Sequence, residues 1–503
     1  MSHKTHMNGD GESYSDVVLT KQPNEGLGRP KEVVEGRSLT RENAEQLNPC
    51  RTQSRESRPN GLERVREAAK RDGKLQFTAL LHHVNIDLLR DSYHSLEKTA
   101  APGVDGVTWQ EYGDGLEERL TDLHGRIHRG AYQAQPSRRV WIPKADGRER
   151  PLGIAALEDK VVQHAVGKVL NHIWEEDFLG YSYGFRPGRS QHDALDALYV
   201  GITRKKVNWI LDLDIQSFFD KIEHEWMIRF VEHRIGDQRV VRLIQKWLKA
   251  GVMEQGQWSE TKEGTPQGAV ISPCLANLYL HHVLDLWVEA WRKKQAKGDV
   301  IIVRYADDAV LGFQHKDEAD RFLAELRERL AKFGLELHPE KTRLIEFGRY
   351  ATERRDKRGE GKPETFNFLG FTHICGTSHR TGYFTVKRKT MGKRMAAKLK
   401  DIKAKLRVRL HGAIGDTARW LKAVVSGYFQ YHAIPDNEER LKAFRHDVLR
   451  LWLKQLRRRS QRHRWTWERF YGKLGALLPE VEILQPYPDV RFDAKIRGRN
   501  RVR

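Results

Sequence analysis

The sequence predicts a mixed α/β core followed by an all-α, strongly basic C-terminal region. From Gly61 to about Cys375, short β-prone runs alternate with runs whose apolar residues recur every three or four positions. Beyond Arg388 the strand signals fade, and the remaining apolar residues follow the helical period. We therefore expect three parts: a polar extension over 1–60, an α/β unit over 61–380 and a helical unit over 381–503.

The same periodicity places the individual elements in chain order. Residues 1–60 are rich in Gly, Ser, Asn, Glu and Arg without apolar periodicity, and we expect them to be disordered. The strands are expected at Arg139–Ile142, Trp209–Leu213, Val300–Arg304 and Ala309–Phe313. The helices are expected at Leu157–Trp174, Asp193–Thr203, Glu225–Ile235, Leu275–Gln295 and Lys316–Phe333, and then around 390–411, 416–432, 438–459 and 465–477.

The composition excludes several classes of protein. In the 503 residues, 39% of them hydrophobic, no apolar run approaches the roughly 20 residues needed to span a bilayer. The N-terminus has no apolar segment typical of a secretory signal. Three cysteines are too few for a disulfide framework or a Cys-rich zinc site. We therefore expect a protein of a reducing, bacterial-type cytoplasm or its nucleoid, with no membrane partner.

The charge is concentrated at one end of the chain. The net charge is +21, and residues 391–503 contain 28 Lys or Arg against 11 Asp or Glu. A localised positive field is typical of a protein that binds a phosphate backbone, because each neutralised phosphate releases counterions. A basic face that serves solubility or anionic lipid is the alternative, but the localisation favours nucleic acid.

Two carboxylate segments indicate a metal-dependent chemistry. Two β-prone runs flank Asp307 and Asp308, which predicts a hairpin with adjacent acids at its turn. Such a pair is electrostatically costly without a cation, although Asp is also common in ordinary turns. In the second segment, Asp212 and Asp214 share one face of an apolar strand while Leu211 packs oppositely. Convergent Asp carboxylates holding two Mg²⁺ ions are the usual clamp for phosphoryl or nucleotidyl transfer.

These motifs, in this order, resemble those of reverse transcriptases, most closely the group II intron-encoded branch. The polymerase motifs are Pro102–Thr108, Ile142–Ile154, Gly184–Ser190, Asp214–Phe219, Gly264–Pro273, Tyr305–Asp308, His338–Thr342 and Phe368–Phe371. Gly427–Tyr431 and Leu484–Pro488 resemble the thumb, or maturase, region of that branch. The resemblance spans about residues 61–495.

The resemblance implies a right-hand polymerase, with α/β fingers and palm over 61–380 and an all-α thumb or maturase region over 381–503. The reaction that the resemblance implies is RNA-templated addition of deoxynucleotides to a primer 3′-OH. Pyrophosphate is released, and two Mg²⁺ ions take part. The implied metal ligands are Asp214, Ile215, Asp307 and, more weakly, Asp308. Lys341 matches a lysine proposed in polymerases to assist the pyrophosphate leaving group, for which a contact to the nucleic-acid backbone is the alternative. Asp212 and Asp220 have no such role and are interpreted as structural.

The resemblance also implies contacts to the substrates. Phe219 matches the steric gate against a ribose 2′-OH, and Gln267 matches the residue that contacts the incoming nucleotide. The cations that would grip the triphosphate are Arg138, Lys144 and Arg150, for which a solvated basic hairpin is the alternative. Arg186 and Arg189 are expected on template or primer phosphates. A basic run beside aromatic rings is expected to bind RNA or to be a solvated helix end; its members are Arg457, Arg458, Arg459, Arg462 and Arg464.

The implied partners are the protein's own intron RNA, an RNA template with a DNA primer, dNTPs and a target DNA. No cysteine follows Cys375, so we expect no Cys-paired HNH endonuclease domain and no second-strand cleavage by this chain. Two alternatives stay open: a maturase that only binds RNA and assists splicing, and a reverse transcriptase recruited to defence or DNA repair. Retention of Asp214, Asp307 and Asp308 argues against the first. The sequence leaves the oligomeric state open.

Overall fold

The computed structural model describes residues 61–143, 149–265, 268–378, 382–459 and 465–496. Its strands, labelled in chain order, are β1 (Ser137–Pro143), β2 (Glu149–Ile154), β3 (Trp209–Leu213), β4 (Val252–Glu254), β5 (Gln257–Ser259), β6 (Val300–Tyr305), β7 (Asp308–Phe313), β8 (Arg343–Glu346), β9 (Phe366–Phe368), β10 (Phe371–Thr377) and β11 (Phe384–Thr390). Because strands and helices alternate up to residue 390, the α/β class expected for this part is confirmed.

The expected helices are confirmed within a few residues of their bounds, and further helices precede, separate and follow them. They are α1 (Gly61–Arg71), α2 (Ile86–Ser95), α3 (Trp109–Gly113), α4 (Leu116–His128), α5 (Leu157–Trp174), α6 (Gln191–Arg204), α7 (His224–Glu232), α8 (Gln238–Lys249), α9 (Ser272–Leu280), α10 (Leu286–Lys294), α11 (Lys316–Ala331), α12 (Ala351–Lys357), α13 (Gly392–Val408), α14 (Ile414–His432), α15 (Glu438–Arg457), α16 (Trp467–Leu474) and α17 (Pro488–Ile496). The helix expected over Leu275–Gln295 is interrupted by a π-helical turn, His281–Asp285, which joins α9 to α10.

A four-stranded antiparallel sheet, the central sheet, lies in the middle of the α/β part with strand order β6-β7-β3-β8. Leu211 and Leu213 enter one buried cluster, whereas Ile210 enters a second cluster on the opposite face. This confirms the alternation predicted for β3. The register pairs Leu213 with Ala309, so the residue after β3 and the turn before β7 lie at the same end of the sheet.

Two smaller sheets flank the central one. The first has the order β2-β1-β4-β5, and its β1–β2 hairpin carries the basic motif around Arg150. The second joins β9, β10 and β11. The β10–β11 hairpin straddles the domain boundary expected at residue 380, and the purely helical part begins only at Gly392. The lysines and arginine of β11 obscured its strand signal, although alternate residues of that strand are buried.

The C-terminal helices form their own buried cluster around Leu421, Trp452 and Phe470. Helix α17 then leaves that cluster and packs on α6, where Phe492 joins the second cluster of the central sheet. Arg204 and Asp493 form an ion pair of 2.7 Å across this contact. Within the described part of the chain, no helix is both long and apolar enough to cross a membrane.

Candidate active site

Asp214 stands at the exit of β3, and a second segment of the chain fixes its main chain. The His338 amide donates to the Asp214 carbonyl at 2.8 Å, and the Asp214 amide donates to the Thr342 hydroxyl at 3.3 Å. The Lys341 ammonium lies 2.6 Å from the Asp214 carboxylate, with side chains 50% and 30% exposed. The motif that contains Lys341 therefore presents an accessible cation directly on the first expected catalytic carboxylate.

Asp307 occupies the tight turn between β6 and β7, as predicted. Tyr305 pairs with Asp308, which leaves Ala306 and Asp307 as the two turn residues. Ala306 has a φ of +57°, the left-handed conformation that two-residue hairpin turns require. Burial raises the pKa of Asp307, and the negative charge of Asp214 raises it further, whereas Arg150 and Arg304 act in the opposite direction. The two carboxylates thus lie close enough to repel, a situation that a bound cation relieves.

The oxygen ligands at this end of the sheet fit a hard divalent cation. Asp308 is exposed at the start of β7, and Ile215, whose side chain is buried, has only its carbonyl to offer. Among the described residues no three His, Cys, Asp or Glu side chains gather into a complete metal site. An ion such as Mg²⁺ needs no such cage, because one or two carboxylates, water and substrate phosphates complete its coordination. Asp214 and Asp307 supply that number.

Asp212 precedes Asp214 by two residues, so the two side chains lie on the same face of the sheet. Burial raises its pKa to about 6, with a further contribution from Asp214, while Arg343 opposes the shift. Arg343 is its direct neighbour on β8. The position of this acid inside the sheet, opposite a basic residue, is in keeping with the structural role expected for Asp212.

Phe219 lies where the chain leaves this end of the central sheet. Phe218 is buried in the core, whereas Phe219 is half-buried, with the ring centroids 5.3 Å apart. The Thr265 amide donates to the Phe219 carbonyl at 2.8 Å, which brings the motif that contains Gln267 beside it. Gln267 itself lies outside the described residues.

The side chains expected to bind the triphosphate, Arg138 and Arg150, lie in different surroundings. Arg150 is exposed on β2, and its positive charge acts against the rise in the pKa of Asp307, which places it in the neighbourhood of that carboxylate. Arg138 is half-buried and donates twice, at 3.1 and 2.7 Å, to the Pro102 carbonyl. It ties β1 to the loop after α2 in this structure. Lys144 lies outside the described residues.

Arg186 corrects one expectation. Its side chain is only 1% exposed, and its guanidinium donates to the carbonyls of Leu179 and Ser182 at 2.8 Å and pairs with Glu175. The expected phosphate contact is therefore wrong for Arg186, because no nucleic acid can reach it without unfolding the loop. Arg189 is half-buried and lies over the Tyr183 ring.

In the C-terminal region, exposed cations follow one groove between α13 and α15. Arg457 and Arg458 are exposed and Arg459 is half-buried, whereas Arg462 and Arg464 lie outside the described residues. The Arg457 guanidinium donates to the Trp465 carbonyl at 2.9 Å. Of these arginines Arg457 lines the groove, together with the basic and aromatic residues Lys400, Lys403, Arg450, Lys454 and Trp467.

Sequence reasoning missed the residues beneath the hairpin turn. Arg304, Asn277 and Asp285 are all buried and hydrogen-bonded to one another or to the turn. A usable signal existed, because Arg304 interrupts an apolar strand and Asp285 interrupts an apolar helix. A buried charge requires a partner of opposite sign.

The fold and the site define a nucleic-acid polymerase of the reverse transcriptase class. Residues 142–373 match the family described as "Reverse transcriptase (RNA-dependent DNA polymerase)". Protein YkfC of Escherichia coli K12 is 35% identical over 299 residues, which cover 52% of this chain and 78% of that protein. The chain belongs to the reverse transcriptase family, the RNA-directed DNA polymerases.

Further relatives are encoded by introns. The group II intron-encoded protein LtrA of Lactococcus lactis subsp. cremoris is 36% identical over 230 residues, covering 45% of this chain and 38% of LtrA. An uncharacterized 91 kDa protein in the cob intron of Schizosaccharomyces pombe is 37% identical over 210 residues, covering 41% of this chain and 25% of that protein. Within the reverse transcriptase family, the chain is thus similar to intron-encoded proteins, and it spans less than half the length of either of these two relatives.

Proposed function

We propose that the protein is the reverse transcriptase of a group II intron, which copies RNA into DNA and binds its intron RNA to assist splicing. The observation that carries the proposal is the meeting of Asp214 and Asp307 at one end of the central sheet, beside Lys341 and Arg150. In this proposal the central sheet is the palm, the β1–β2 hairpin belongs to the fingers, and α13–α16 form the thumb. The protein acts in the cytoplasm on RNA, a DNA primer and a target DNA.

Each residue of the site has a separate role in the proposed nucleotidyl transfer. Asp214, Asp307 and the Ile215 carbonyl, with Asp308 at the rim, would hold two Mg²⁺ ions, which when bound activate the primer hydroxyl and neutralise the leaving group. Arg150 binds triphosphate oxygens from the fingers side. Lys341 keeps an ammonium on Asp214 and is the candidate to give a proton to departing pyrophosphate.

Primer extension tests this proposal directly. An annealed RNA template and DNA primer are incubated with the protein, Mg²⁺ and dNTPs, with EDTA in a parallel reaction. We expect full-length cDNA only when Mg²⁺ is available. Binding of the duplex without any extension would instead support the alternative of a maturase that only assists splicing. If the primer is extended, a splicing assay with the RNA transcribed from the flanking DNA separates an intron enzyme, which assists splicing, from a reverse transcriptase recruited to defence or repair.

The exposed arginines at the end of α15 provide a test of RNA binding. We expect the double substitution Arg457→Ala and Arg458→Ala to weaken RNA binding at all sequences. The slope of log K against log salt should fall by about 1.5, since each lost phosphate contact removes 0.7 to 0.9. Filter binding at several salt concentrations gives this slope. Lys293→Ala, at a 72% exposed lysine of α10, is the control and should leave the slope unchanged.

The half-buried ring of Phe219 leads to a prediction about sugar selection. We expect Phe219→Ala to raise the kcat/KM for a ribonucleotide relative to its deoxynucleotide by roughly 10- to 100-fold, because a pocket that loses bulk discriminates less. Single-nucleotide insertion kinetics with dATP and ATP measure the ratio. Phe218→Leu is the matched control: it changes a ring in the core and should lower stability without altering the ratio. An unchanged ratio in Phe219→Ala would remove the gate assignment.

A further inference from the structure

The turn that carries Asp307 rests on a buried arginine. Arg304 is fully buried at the end of β6, three residues before Asp307. Its guanidinium folds back and donates to the Ala306 carbonyl at 2.8 Å, the peptide oxygen that immediately precedes Asp307. The main chain of Arg304 is fixed as well. Its amide donates to the Tyr181 carbonyl at 2.9 Å, and its carbonyl accepts from the Tyr183 amide at 2.8 Å. The guanidinium therefore approaches the turn from a rigid base.

Asp285 holds the other edge of that guanidinium. Its two carboxylate oxygens accept from Nε at 2.8 Å and from the terminal nitrogen at 2.5 Å, a bidentate pair with both side chains fully buried. Asp285 ends the π-helical turn between α9 and α10. Such turns are rare and are frequently found at functional sites. Here the irregular turn, whose residues are all buried, presents a carboxylate to Arg304.

Asn277 links the same guanidinium to a third segment. Its side-chain oxygen accepts from Arg304 at 3.0 Å, and its side-chain nitrogen donates to the Gly184 carbonyl at 2.7 Å. Gly184 lies directly under the turn, since a Cβ built on it would come within 2.2 Å of the Ala306 amide nitrogen. The Ala306 peptide is thus held at its carbonyl by Arg304 and confined at its nitrogen by Gly184.

We propose that Arg304, Asn277 and Asp285 are positioning residues for the polymerase reaction: they hold Ala306 in its left-handed conformation and so place the Asp307 carboxylate. This inference rests on the proposed function. A left-handed alanine persists only where its surroundings impose it. The network supplies that constraint from β6, α9 and the π-helical turn without touching substrate. Its loss should disturb the placement of Asp307 more than the fold.

The test compares two equally buried Arg–Asp pairs. Asp285→Asn turns a carboxylate oxygen facing Arg304 into an N–H donor. Asp177→Asn removes the charge from the pair of Asp177 with Arg234, whose side chains are 0% and 1% exposed and whose arginine also donates to main-chain carbonyls of residues 72–75. We expect both variants to lose thermal stability. Only Asp285→Asn should lower kcat for primer extension, by about 100-fold, because a displacement near 1 Å costs that much. Its KM for dNTP and its affinity for primer–template should remain within about threefold.

A second variant and a second measurement distinguish a loss of positioning from a misfolded Asp285→Asn protein. Asn277→Ala removes the neutral link without leaving an unpaired buried charge, and we expect the same selective fall in kcat. Binding of Mn²⁺ alone, followed by electron paramagnetic resonance, should weaken by roughly tenfold in both variants and not in Asp177→Asn. Wild-type kcat in folded Asp285→Asn and Asn277→Ala would overturn the positioning role, as would an equal loss in Asp177→Asn. Failure of the wild type to extend a primer would overturn the proposed function instead, and the Mn²⁺ comparison would still decide whether the network places Asp307.

Discussion

Replacing Asp307 by Ala is expected to abolish primer extension, with a fall in kcat of at least about a thousand-fold. Asp307 is one of two carboxylates that meet at the end of the central sheet, and the charge of Asp214 already raises its pKa. Removing it leaves Asp214 alone, paired with Lys341 at 2.6 Å. Asp307→Asn, which keeps the shape and removes only the charge, should lose nearly as much. Pre-steady-state extension with a saturating primer–template measures both variants.

The control for this prediction is Asp212→Asn. Asp212 shares the sheet face of Asp214, and its pKa is raised to about 6, so its neutral form is already within reach near physiological pH. Arg343 is its neighbour on β8. We expect Asp212→Asn to change kcat by no more than about threefold and to bind the duplex normally. A loss as deep as that of Asp307→Ala would mean that Asp212, and not only Asp214, belongs to the catalytic set.

The parts of the site that follow from local pattern were predictable from the sequence. The apolar runs around Asp307 and Asp308 predicted the hairpin. The alternation of side chains along β3 predicted that Asp214 lies on the sheet face opposite Leu211. The structure confirms both elements. Local pattern is sufficient here because a hairpin and a strand face depend on residues that are neighbours in the chain.

The supports of the site could not be derived in the same way. Arg186 looked accessible because glycines and a proline surround it, yet the loop closes over it with carbonyls from 178–182. Arg304 and Asp285 are 19 residues apart, and their pairing depends on how the π-helical turn lies against the end of β6. Helix α17 packs on α6 through Phe492, although helices α13 to α16 lie between them in the chain. Such pairings depend on tertiary packing, which residue spacing does not encode.

Gly184 illustrates how a motif can be recognised and its physical role misjudged. The sequence alone associates the motif Gly184–Ser190 with phosphate contacts through its arginines. In the structure its first glycine forms the floor of the Asp307 turn, and the Gly184 carbonyl receives the Asn277 side chain at 2.7 Å. The glycine is required there by space, because two main chains cross at a distance that leaves no room for a side chain.

Gly184→Ala should therefore be nearly as damaging as a change in the carboxylates themselves. Its Cβ would lie 2.2 Å from the Ala306 nitrogen and 2.9 Å from the Tyr305 carbonyl carbon, and both are main-chain atoms that no rotamer change can move. Relief of the overlap requires the turn to move by about 1 Å, and a displacement of this size costs roughly 100-fold in rate. We expect kcat for primer extension to fall by that factor while the affinity for primer–template is retained.

The control lies in the same motif. Gly188 has a φ of +68°, and a Cβ added to it would meet nothing within 4 Å. Gly188→Ala therefore tests backbone strain without a collision, and we expect a loss of about 1 kcal/mol in stability with normal kcat. If Gly184→Ala and Gly188→Ala lowered kcat equally, the motif would act through the conformation of its loop. If only Gly184→Ala did so, the close approach of Gly184 to Ala306 would be what keeps Asp307 in its reactive place.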